Sequence, residues 1–536
     1  MERWQHKEGL TGLLKQLVQI PSITNYSAEI TLAEFLYDNV QDLPYFQQHK
    51  EHASLHDTGD GRKIFTALVQ QDPSKETIVL LSHFDVVGVD DFGELQHLAF
   101  SPDELTHHFY NSEAIPSPIK EELNEEWLFG RGIMDMKAGV ALHLSMIEKA
   151  CSGNFPGNIL MLSVPDEEVN SKGMIAAVGV LNMLQERHQL RYKACLNGEP
   201  AFTRYPGDPH HYMYTGSVGK VLPGFLCYGQ ETHVGEPFLG LNGNLMASML
   251  TTAMELNVSF CEQFDDEVIP PPTNLLQKDL KDHYSVQIPH AAATLFNLLL
   301  LERPLHEVTQ QLLQIAEQTA SDLEQLYRQR ARAYQALQPC SIPDFTISVY
   351  TVHELYEHAL TLYSKEFLAQ RQEQLQQRYH SSDDRELTIQ IVYDLASLCK
   401  QQAPMIVLFY APPFYPAICS SHDQLITKTT AAVRDYAKNQ LALSLQTQHY
   451  FAGLSDLSYV GLQYELEELT PLLTNMPLFT TRYQLPLEEM KQLTMPVMNV
   501  GPLGRDAHKW TERLNVSSFM KTHALIAYTI ETLLKG

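Results

Sequence analysis

Four short stretches of the chain place histidine or carboxylate side chains directly after an apolar run or in a glycine-marked turn. They are SHFD (82–85), GRGIMDMK (130–137), VPDEE (164–168) and NGEP (197–200). A histidine at a strand end is usually structural, and paired glutamates are usually a solvated surface, so each stretch alone indicates little. Imidazole and carboxylate groups together, without thiolate, suit zinc, cobalt or manganese. Gathered in one place, these carboxylates would repel one another unless cations neutralised them.

Strand-like and helical patterns alternate around these stretches. Short apolar runs occupy 76–85 and 157–168, and helical apolar spacing follows at 136–150 and 170–187. This alternation predicts an α/β fold with a mostly parallel sheet flanked by helices. In such sheets ligands bind beyond the carboxyl ends of the strands, where His83 and Asp85 lie. The sequence therefore predicts a site at one edge of the sheet.

The pattern changes after about residue 212 and returns near residue 418. We therefore predict a catalytic domain formed by residues 1–212 and 418–536. The intervening 213–417 would be an inserted α+β lid or dimerisation domain enlarged by helices. Further predicted elements are a helix at 243–262, helical segments at 291–338 and 354–379, strands at 403–416 and 495–504, and helices at 420–439 and 517–534. The acidic stretch 91–127 is predicted to be a surface excursion.

Composition excludes several classes of partner and compartment. The chain has 64 acidic and 38 basic residues, a net charge of -26, which repels nucleic acid and anionic lipid. We find neither a secretion signal nor an apolar run of about 18 residues, so a cytoplasmic protein without membrane contact is expected. The seven cysteines contain no C-x-x-C pair and favour reduced thiols. Cysteine therefore supplies neither metal binding nor redox chemistry.

In their order along the chain, these motifs resemble a co-catalytic zinc hydrolase family. That family contains acetylornithine deacetylases, succinyl-diaminopimelate desuccinylases, aminoacylases and glutamate carboxypeptidases. Its H-x-D appears as HFD, its G-R-G-x-x-D-M-K as GRGIMDMK, and its D-E-E within VPDEEVNSKG. The later acidic ligand matches Glu199 in GEP, and the C-terminal histidine matches His508 in GPLGRDAHKWTERL. The strand VLFYAPPFYP and the ending RDAHKWTERL are most similar to the arginine-utilisation branch.

The resemblance implies two divalent metal ions, most simply zinc, with cobalt or manganese as alternatives. Asp135 would bridge the two ions. His83 and Glu199 would complete one site, and Glu168 and His508 would complete the other, leaving a position for water.

The resemblance also implies catalytic and supporting roles around these ligands. Asp85 would orient the imidazole of His83. Glu167 would act as general base on metal-activated water and pass the proton to the leaving amine. Arg131 and Lys137 are interpreted as structural, balancing charge and supporting the turn near the carboxylates.

Further candidates lie in the middle block and near the C-terminus. His233 in QETHVGEP matches a family histidine that a lid sends into the partner's active site, where it could stabilise an oxyanion. Asn242 either assists the oxyanion or caps the following helix. Ser455 and Asp456 match a segment that lines the substrate site. Arg505 either pairs with a substrate carboxylate or forms a structural salt bridge.

The resulting hypothesis is a metal-dependent hydrolase that cleaves an amide bond in an N-acyl amino acid or small peptide-like substrate. Arginine or amino-acid catabolism follows only from the branch resemblance. A dipeptidase or carboxypeptidase on the same site is the enzymatic alternative, and a homodimer through the lid is the predicted assembly. An alternative from another class is a non-catalytic binding or assembly protein that uses the long block at 265–400. The motifs G-x-x-x-x-G-K-[ST] and G-x-S-x-G are absent, which argues against nucleotide binding and serine hydrolysis.

Overall fold

A computed structural model describes residues 2–71, 73–112, 115–205, 208, 210–281, 283–451 and 453–536. The chain forms two compact units. Unit 1 contains Met1–Val218, Ile418–Gln463 and Pro486–Gly536, and unit 2 contains Gly219–Ala417 and Tyr464–Leu485. No helix among the described residues is long and apolar enough to cross a membrane.

The helices of both units are numbered together in chain order. They are α1 (Lys7–Gln19), α2 (Ala28–Gln41), α3 (Pro44–Gln48), α4 (Pro102–Asn111), α5 (Ser117–Glu122), α6 (Lys137–Cys151), α7 (Lys172–His188), α8 (Gly243–Met254), α9 (Leu305–Leu337), α10 (Val352–Leu362), α11 (Lys365–Arg378), α12 (Asp384–Leu398), α13 (Gln424–Leu441), α14 (Thr470–Thr474), α15 (Leu487–Leu493) and α16 (Val516–Lys535).

The strands are numbered in the same way. They are β1 (Ala53–Asp57), β2 (Lys63–Val69), β3 (Glu76–His83), β4 (Trp127–Phe129), β5 (Asn158–Val164), β6 (Arg191–Asn197), β7 (His211–Tyr214), β8 (Gly216–Ser217), β9 (Gly219–Tyr228), β10 (Gln263–Phe264), β11 (Glu267–Val268), β12 (Thr273–Asp279), β13 (Ala291–Leu300), β14 (Ser348–Thr351), β15 (Met405–Tyr415), β16 (Ile418–Cys419), β17 (Leu445–Gln448), β18 (Val497–Asn499), β19 (Gly504–Arg505) and β20 (Arg513–Asn515).

Unit 1 is built on an eight-stranded mixed sheet with the order β1-β2-β5-β3-β6-β18-β7-β17. Strand β3 lies between β5 and β6 and is parallel to both. Strands β1 and β2 extend the sheet in antiparallel fashion. The predicted α/β class is therefore confirmed, with parallel strands at the centre and both antiparallel and parallel pairs further out.

Helices α1, α2, α6 and α16 contribute to the core of unit 1 together with the apolar faces of the strands. In α1 the side chains of Leu10, Leu13, Leu14 and Leu17 are buried, at the i, i+3, i+4, i+7 spacing of one helix face. Strand β5 is buried along its whole length, which explains its continuous apolar sequence. The same apolar runs that predicted these elements therefore form the core.

The prediction of a surface excursion at 91–127 was wrong in one respect. The stretch contains α4, α5 and a 3₁₀ helix at Asp90–Leu98, and these pack around a small core of their own. Phe92, Phe109 and Trp127 are buried in it. The prediction was based on the many acidic residues of this stretch and overlooked the spaced aromatic side chains that form its core.

Unit 2 contains a five-stranded sheet with the order β12-β13-β9-β15-β14. Helices α10 and α12 pack on one face of this sheet around Leu226, Val407 and their neighbours. Helix α9 spans 33 residues and contacts α8. The middle block is thus an α+β structure enlarged by helices.

Residues 291–300 were wrongly predicted as the beginning of a helix. They form β13, which pairs with both β9 and β12, so most of its side chains are buried. A short apolar run cannot be assigned to strand or helix by its periodicity, and here burial inside a sheet decides. The helix begins only at Leu305, after Pro304. The strand predicted at 495–504 is shorter, since β18 spans only Val497–Asn499.

Residues 464–485 were placed in the second part of the catalytic domain by sequence, but they lie in unit 2. The backbone N–H of Tyr410 donates to the carbonyl of Asn475 at 2.8 Å. The Tyr483 hydroxyl accepts the backbone N–H of Phe414 and donates to its carbonyl oxygen, each at 3.1 Å. Such long-range pairing has no local sequence signal.

Candidate metal centre

Three neighbouring strands of unit 1 deliver acidic or imidazole side chains to the same edge of the sheet. Strand β3 ends at His83, which lies opposite Val164, the last residue of β5. Glu167 and Glu168 follow β5 directly. Strand β6 ends at Asn197, and Glu199 comes two residues later. Because the three strands are parallel, their carboxyl ends meet, as the sequence predicted.

Asp135 reaches this edge from the turn between β4 and α6. The side chain of Glu512 fixes that turn, since its Oε1 accepts the backbone N–H groups of Met134 and Asp135 at 3.2 and 3.3 Å. Its Oε2 accepts from the buried guanidinium of Arg131 at 2.9 Å. Arg131 therefore supports the turn, in line with its structural interpretation.

The arrangement contains two groups of potential ligands that share Asp135. One consists of His83, Asp135 and Glu199, and the other of Asp135, Glu168 and His508. The Nε2 atom of His83 lies 3.5 Å from Oδ1 of Asp135 and 3.4 Å from Oε1 of Glu199. The Nε2 atom of His508 lies 3.4 Å from Oδ2 of Asp135 and 3.1 Å from Oε1 of Glu168. Each oxygen of Asp135 thus faces a different group.

Glu167 lies against the same cluster. Its Oε2 is 3.8 Å from Nε2 of His83, and its side chain is 8% exposed. His83, Glu167 and Glu168 form a third possible ligand group. The structure therefore brings Glu167 together with the predicted ligands.

The electrostatics of the cluster are dominated by its buried carboxylates. Burial, reinforced by neighbouring carboxylates, raises the pKa of Glu167 and of Glu199 well above their ordinary values. Hydrogen bonds to Asp135 and Glu168 raise the pKa of His508 to about 11. Burial alone lowers the pKa of His83, but Glu199 and Asp135 raise it well above 6.5. These shifts all favour the protonated forms, which is the direction expected where buried carboxylates need compensating positive charge.

The donor set fits divalent metal ions. Imidazole nitrogens and carboxylate oxygens converge from two sides on one shared carboxylate, and no thiolate is near, since all seven cysteines are elsewhere. Buried carboxylates in this number are stable only when cations or protons compensate them. Two nearby metal ions would satisfy both requirements.

Asp85 holds more of the site than sequence reasoning assigned to it. Its Oδ1 is 3.5 Å from Nδ1 of His83, compatible with the predicted orienting role. The same oxygen accepts the N–H of Glu167 at 3.1 Å, and Oδ2 accepts the N–H of Glu168 at 3.3 Å. The hydroxyl of Thr24 donates to Oδ2 at 2.8 Å. One buried carboxylate therefore positions the strand ends of both β3 and β5.

A further buried ion network, at the turn that follows β5, was also missed by the sequence analysis. The guanidinium of Arg62 lies 2.7 Å from Asp166, 3.6 Å from Glu29 and 2.6 Å from Asp60. Burial raises the pKa of Glu29 to about 7. Arg62, Asp166 and Glu29 are all buried, so their charges must be paired. Arg62 follows a Gly-Asp-Gly turn in sequence, which gave no hint of its long-range partners.

The remaining candidates of unit 1 lie near the site with different surroundings. Ser455 is buried and accepts from the side-chain amide of Asn197 at 2.9 Å. Asp456 begins a 3₁₀ helix, and burial raises its pKa to about 7. Arg505 lies 3.6 Å from Glu122, which is the salt bridge considered as one of its two roles. The substrate contacts of these residues remain predictions.

Two candidates belong to unit 2. Asn242 is the N-cap of α8 and accepts the N–H of Asn244 at 2.9 Å, so its capping role is real. The Nδ1 atom of His233 accepts the N–H of Gly235 at 3.0 Å. Their roles in oxyanion stabilisation remain predictions.

Some supporting residues carried a weak sequence signal. Glu512 lies four residues after His508, within the stretch that carried the family resemblance. Thr24 lies in the connection between α1 and α2 and shows no motif. Only its contact with Asp85 identifies it, which a sequence cannot display.

Comparison with known proteins gives the chain its family. The profile of peptidase family M20/M25/M40 matches residues 79–532. The uncharacterized protein YqjN of Bacillus subtilis (strain 168) is 47% identical over 99% of this chain and 97% of its own length. Protein RocB of the same organism is 29% identical over 95% of this chain and 91% of its own.

Solved structures share the fold at low sequence identity. A tripeptidase from Staphylococcus aureus superposes with a TM-score of 0.53 and 12% identity, covering 99% of both chains. This likeness concerns the fold alone. The family predicted from the motifs is confirmed: the chain belongs to peptidase family M20/M25/M40 and is a hydrolase of that family.

Proposed function

We propose that the protein is a metal-dependent hydrolase that cleaves an amide bond in an N-acyl amino acid or small peptide-like substrate. The observation that carries this proposal is the sharing of Asp135 by two groups of ligands, with each carboxylate oxygen about equally close to a different histidine. A bridging carboxylate between imidazole and glutamate ligands is an arrangement that suits two adjacent metal ions.

His83, Asp135 and Glu199 would hold one ion, and Asp135, Glu168 and His508 the other. Zinc is the first candidate, with cobalt and manganese as alternatives. When bound, the two ions would lower the pKa of water and polarise the substrate carbonyl.

Glu167 is the residue that we assign to proton transfer. Its carboxylate lies among the ligands, and its backbone is fixed through the N–H bond to Asp85. From there the carboxylate would take a proton from the attacking water and give it to the leaving amine nitrogen. Asp85 and Thr24 would keep Glu167 in place during both transfers.

Replacing Glu167 with glutamine tests this assignment. We expect Glu167→Gln to lower kcat by about 10²- to 10⁴-fold, the usual contribution of general acid–base catalysis, with unchanged metal content. Glu186→Gln, on the exposed face of α7, is the matched control and should keep full activity. Elemental mass spectrometry and a hydrolysis assay measure the two quantities. Full activity of Glu167→Gln would contradict the proposal.

The substrate class is open to a direct screen. N-acyl amino acids, including N-acyl arginine, should be compared with dipeptides and with peptides carrying a free C-terminus. Preference for acylated amino acids would support deacylation, and the resemblance to the arginine-utilisation branch favours arginine derivatives. Preference for dipeptides would favour the peptidase alternative. Protein that binds no metal and hydrolyses neither class would be a binding or assembly protein instead.

A second copy of the chain is the proposed partner. Strand β12 lies at the edge of the unit 2 sheet, and Leu275 on it is 55% exposed. Exposed edge strands pair readily with another chain. In such a dimer His233 would act on the site of the other copy, as the family resemblance implies. We also propose a cytoplasmic location, supported by seven cysteines that all remain unpaired.

A further inference from the structure

A second cluster of ligand side chains lies in unit 1, toward the amino ends of the central strands of the eight-stranded sheet. It comprises His49, Glu51 and His52, around a 3₁₀ helix at Lys50–His52 that follows α3, with His188 beside them at the end of α7. None of these residues belongs to the metal centre. The cluster is therefore free of the roles already assigned.

The sheet topology separates the two clusters. Strand β1 is antiparallel to β2, which is antiparallel to β5, so β1 runs in the direction of β5. Residues before Ala53 therefore lie toward the amino ends of the central strands. His188 precedes β6, whose first residue pairs with the first residue of β3. The metal centre lies beyond the carboxyl ends, and the seven residues of β5 span about 20 Å between the two edges.

The side chains of the cluster converge. One ligand atom from each of His49, Glu51 and His52 lies within 4.8 Å of the others. The rings of His49 and His52 are stacked with centroids 5.2 Å apart, and Nε2 of His52 is 3.8 Å from Oε1 of Glu51. The ring of His188 meets His52 edge-on at 5.1 Å. Two imidazoles and one carboxylate thus converge, with a third imidazole in contact with one of them.

His52 is held by a hydrogen bond of the kind that orients metal-binding histidines. Its Nδ1 lies 2.9 Å from the hydroxyl of Tyr45, which also accepts the N–H of Gln70 at 2.9 Å. The side chain of His52 is only 9% exposed, so its ring has little freedom. With Nδ1 engaged, Nε2 is the nitrogen that can bind a metal ion, and the hydroxyl fixes its orientation.

We infer that His49, Glu51 and His52 form a second metal site, which binds one zinc ion or a similar divalent transition metal. Two imidazoles and a carboxylate suffice to hold zinc with a position left for a further ligand. The ring of His188 lies 5.1 Å from that of His52, so a movement of its side chain would let it supply that ligand and tie the end of α7 to the segment before β1. Such a site would stabilise unit 1 in proportion to metal occupancy.

Zinc stoichiometry tests this inference on the full-length protein. Wild type, the double variant His49→Ala/His52→Ala and the control His107→Ala/His108→Ala are equilibrated with micromolar free zinc and measured by elemental mass spectrometry. The control removes two exposed histidines of α4. We expect the double variant to bind one zinc ion fewer per chain, with the control equal to wild type. Equal zinc content in all three proteins would overturn the inference.

The readout is a difference, so it does not depend on the proposed catalytic function. Even if the metal centre held no ion, the double variant would still bind one zinc ion fewer than wild type. The double substitution should leave hydrolytic activity unchanged. Because alanine at position 52 also removes the contact with Tyr45, His52→Gln gives a second variant that can be checked for folding by circular dichroism. A zinc-dependent rise in Tm that persists undiminished in folded His52→Gln and in the double variant would also overturn the inference.

Discussion

Several residues around the metal centre adopt backbone conformations that L-amino acids rarely occupy. Asp166 and His508 have φ values of 71° and 63°. Such conformations cost about 1–3 kcal/mol each and persist only where the surroundings fix them. At Asp166 the surroundings are Arg62 at 2.7 Å and the N–H of Lys172 at 3.0 Å. The ion network of Arg62, Asp166 and Glu29 thus holds the backbone of the turn after β5, which positions Glu167.

Asp85 offers a test of positioning at the scale of single residues. In Asp85→Asn one of the two acceptor oxygens becomes an amide NH2 donor, which would face the N–H of Glu167 or of Glu168. We expect metal affinity or kcat/KM to fall by about 10- to 100-fold, as is usual for groups that orient ligands. Thr24→Val removes only the hydroxyl donor and should cost less. Zinc titration and steady-state kinetics measure both effects, and an unchanged Asp85→Asn enzyme would contradict this role.

At the scale of elements, close approach of backbones shapes the site. A Cβ atom on Gly139 of α6 would lie 2.4 Å from the carbonyl oxygen of Gly198, next to Glu199. A Cβ atom on Gly501 would lie 1.8 Å from the carbonyl oxygen of Glu199 itself. Real side chains never come so near to backbone atoms. The absence of side chains at these positions therefore lets α6 and the segment that follows β18 approach the backbone at Glu199 closely and fix its position.

Gly139→Ala and Gly179→Ala form a matched pair of helix substitutions. We expect Gly139→Ala to destabilise unit 1 by about 1–3 kcal/mol through overpacking and to lower metal affinity by moving Glu199. Gly179 lies in α7 with open space around it, so alanine there should stabilise by about 0.5–1 kcal/mol. Denaturant unfolding measures both changes. Equal effects of the two variants would show that the contact with Gly198 is unimportant.

Helix α6 also carries a buried histidine that predicts acid sensitivity. Neither ring nitrogen of His143 has a hydrogen-bond partner among the described residues, and burial lowers its pKa to about 3. Between pH 6.5 and about pH 3 the unfolded chain binds a proton at His143 that the folded protein does not. The free energy of unfolding should therefore fall by up to about 1.4 kcal/mol for each pH unit below about 6.5.

Replacing His143 with methionine should remove the contribution of about one proton to the slope of the free energy of unfolding against pH. Urea unfolding of wild type and variant between pH 7 and pH 4 gives the two slopes. His107→Ala, on the exposed face of α4, should keep the slope of wild type. Identical slopes for His143→Met and wild type would contradict the neutral buried state of the imidazole.

At the scale of the whole molecule, the chain passes repeatedly between two units with separate cores. Unit 1 holds every predicted metal ligand, and unit 2 holds His233. The proposed dimer would connect them across two copies. The net charge of -26 and the absence of disulfides are compatible with reversible exchange of subunits in reducing buffer.

Mixed dimers test whether His233 serves the other copy. His233→Ala and Glu167→Gln proteins should each be nearly inactive alone, because each lacks one required group in every site. In a twofold dimer, exchange would create hybrids with one complete site, and about a quarter of wild-type activity should return. Analytical ultracentrifugation would measure whether the protein is a dimer. No recovery after demonstrated exchange would contradict action across the interface.

Much of the site could be predicted from sequence because its ligands follow strand ends or lie in glycine-marked turns. His83, Glu168 and Glu199 follow apolar runs whose parallel arrangement brings their ends together. The start of β13 could not be assigned, because a short apolar run fits a strand and a buried helix equally well. The supporting contacts of Asp85, Thr24 and Glu512 were not visible, since they join residues far apart in the chain.

The sequence by itself determined the ligand types, the order of the motifs and the alternation of strands and helices, because these depend on local residue identity and spacing. Tertiary structure alone decided which oxygen of Asp135 faces which histidine, and that Glu167 and Glu199 are buried beside His83. It also decided that His49 and His52 stack beside Glu51. These features depend on distances of a few ångströms between distant segments, and only packing fixes such distances.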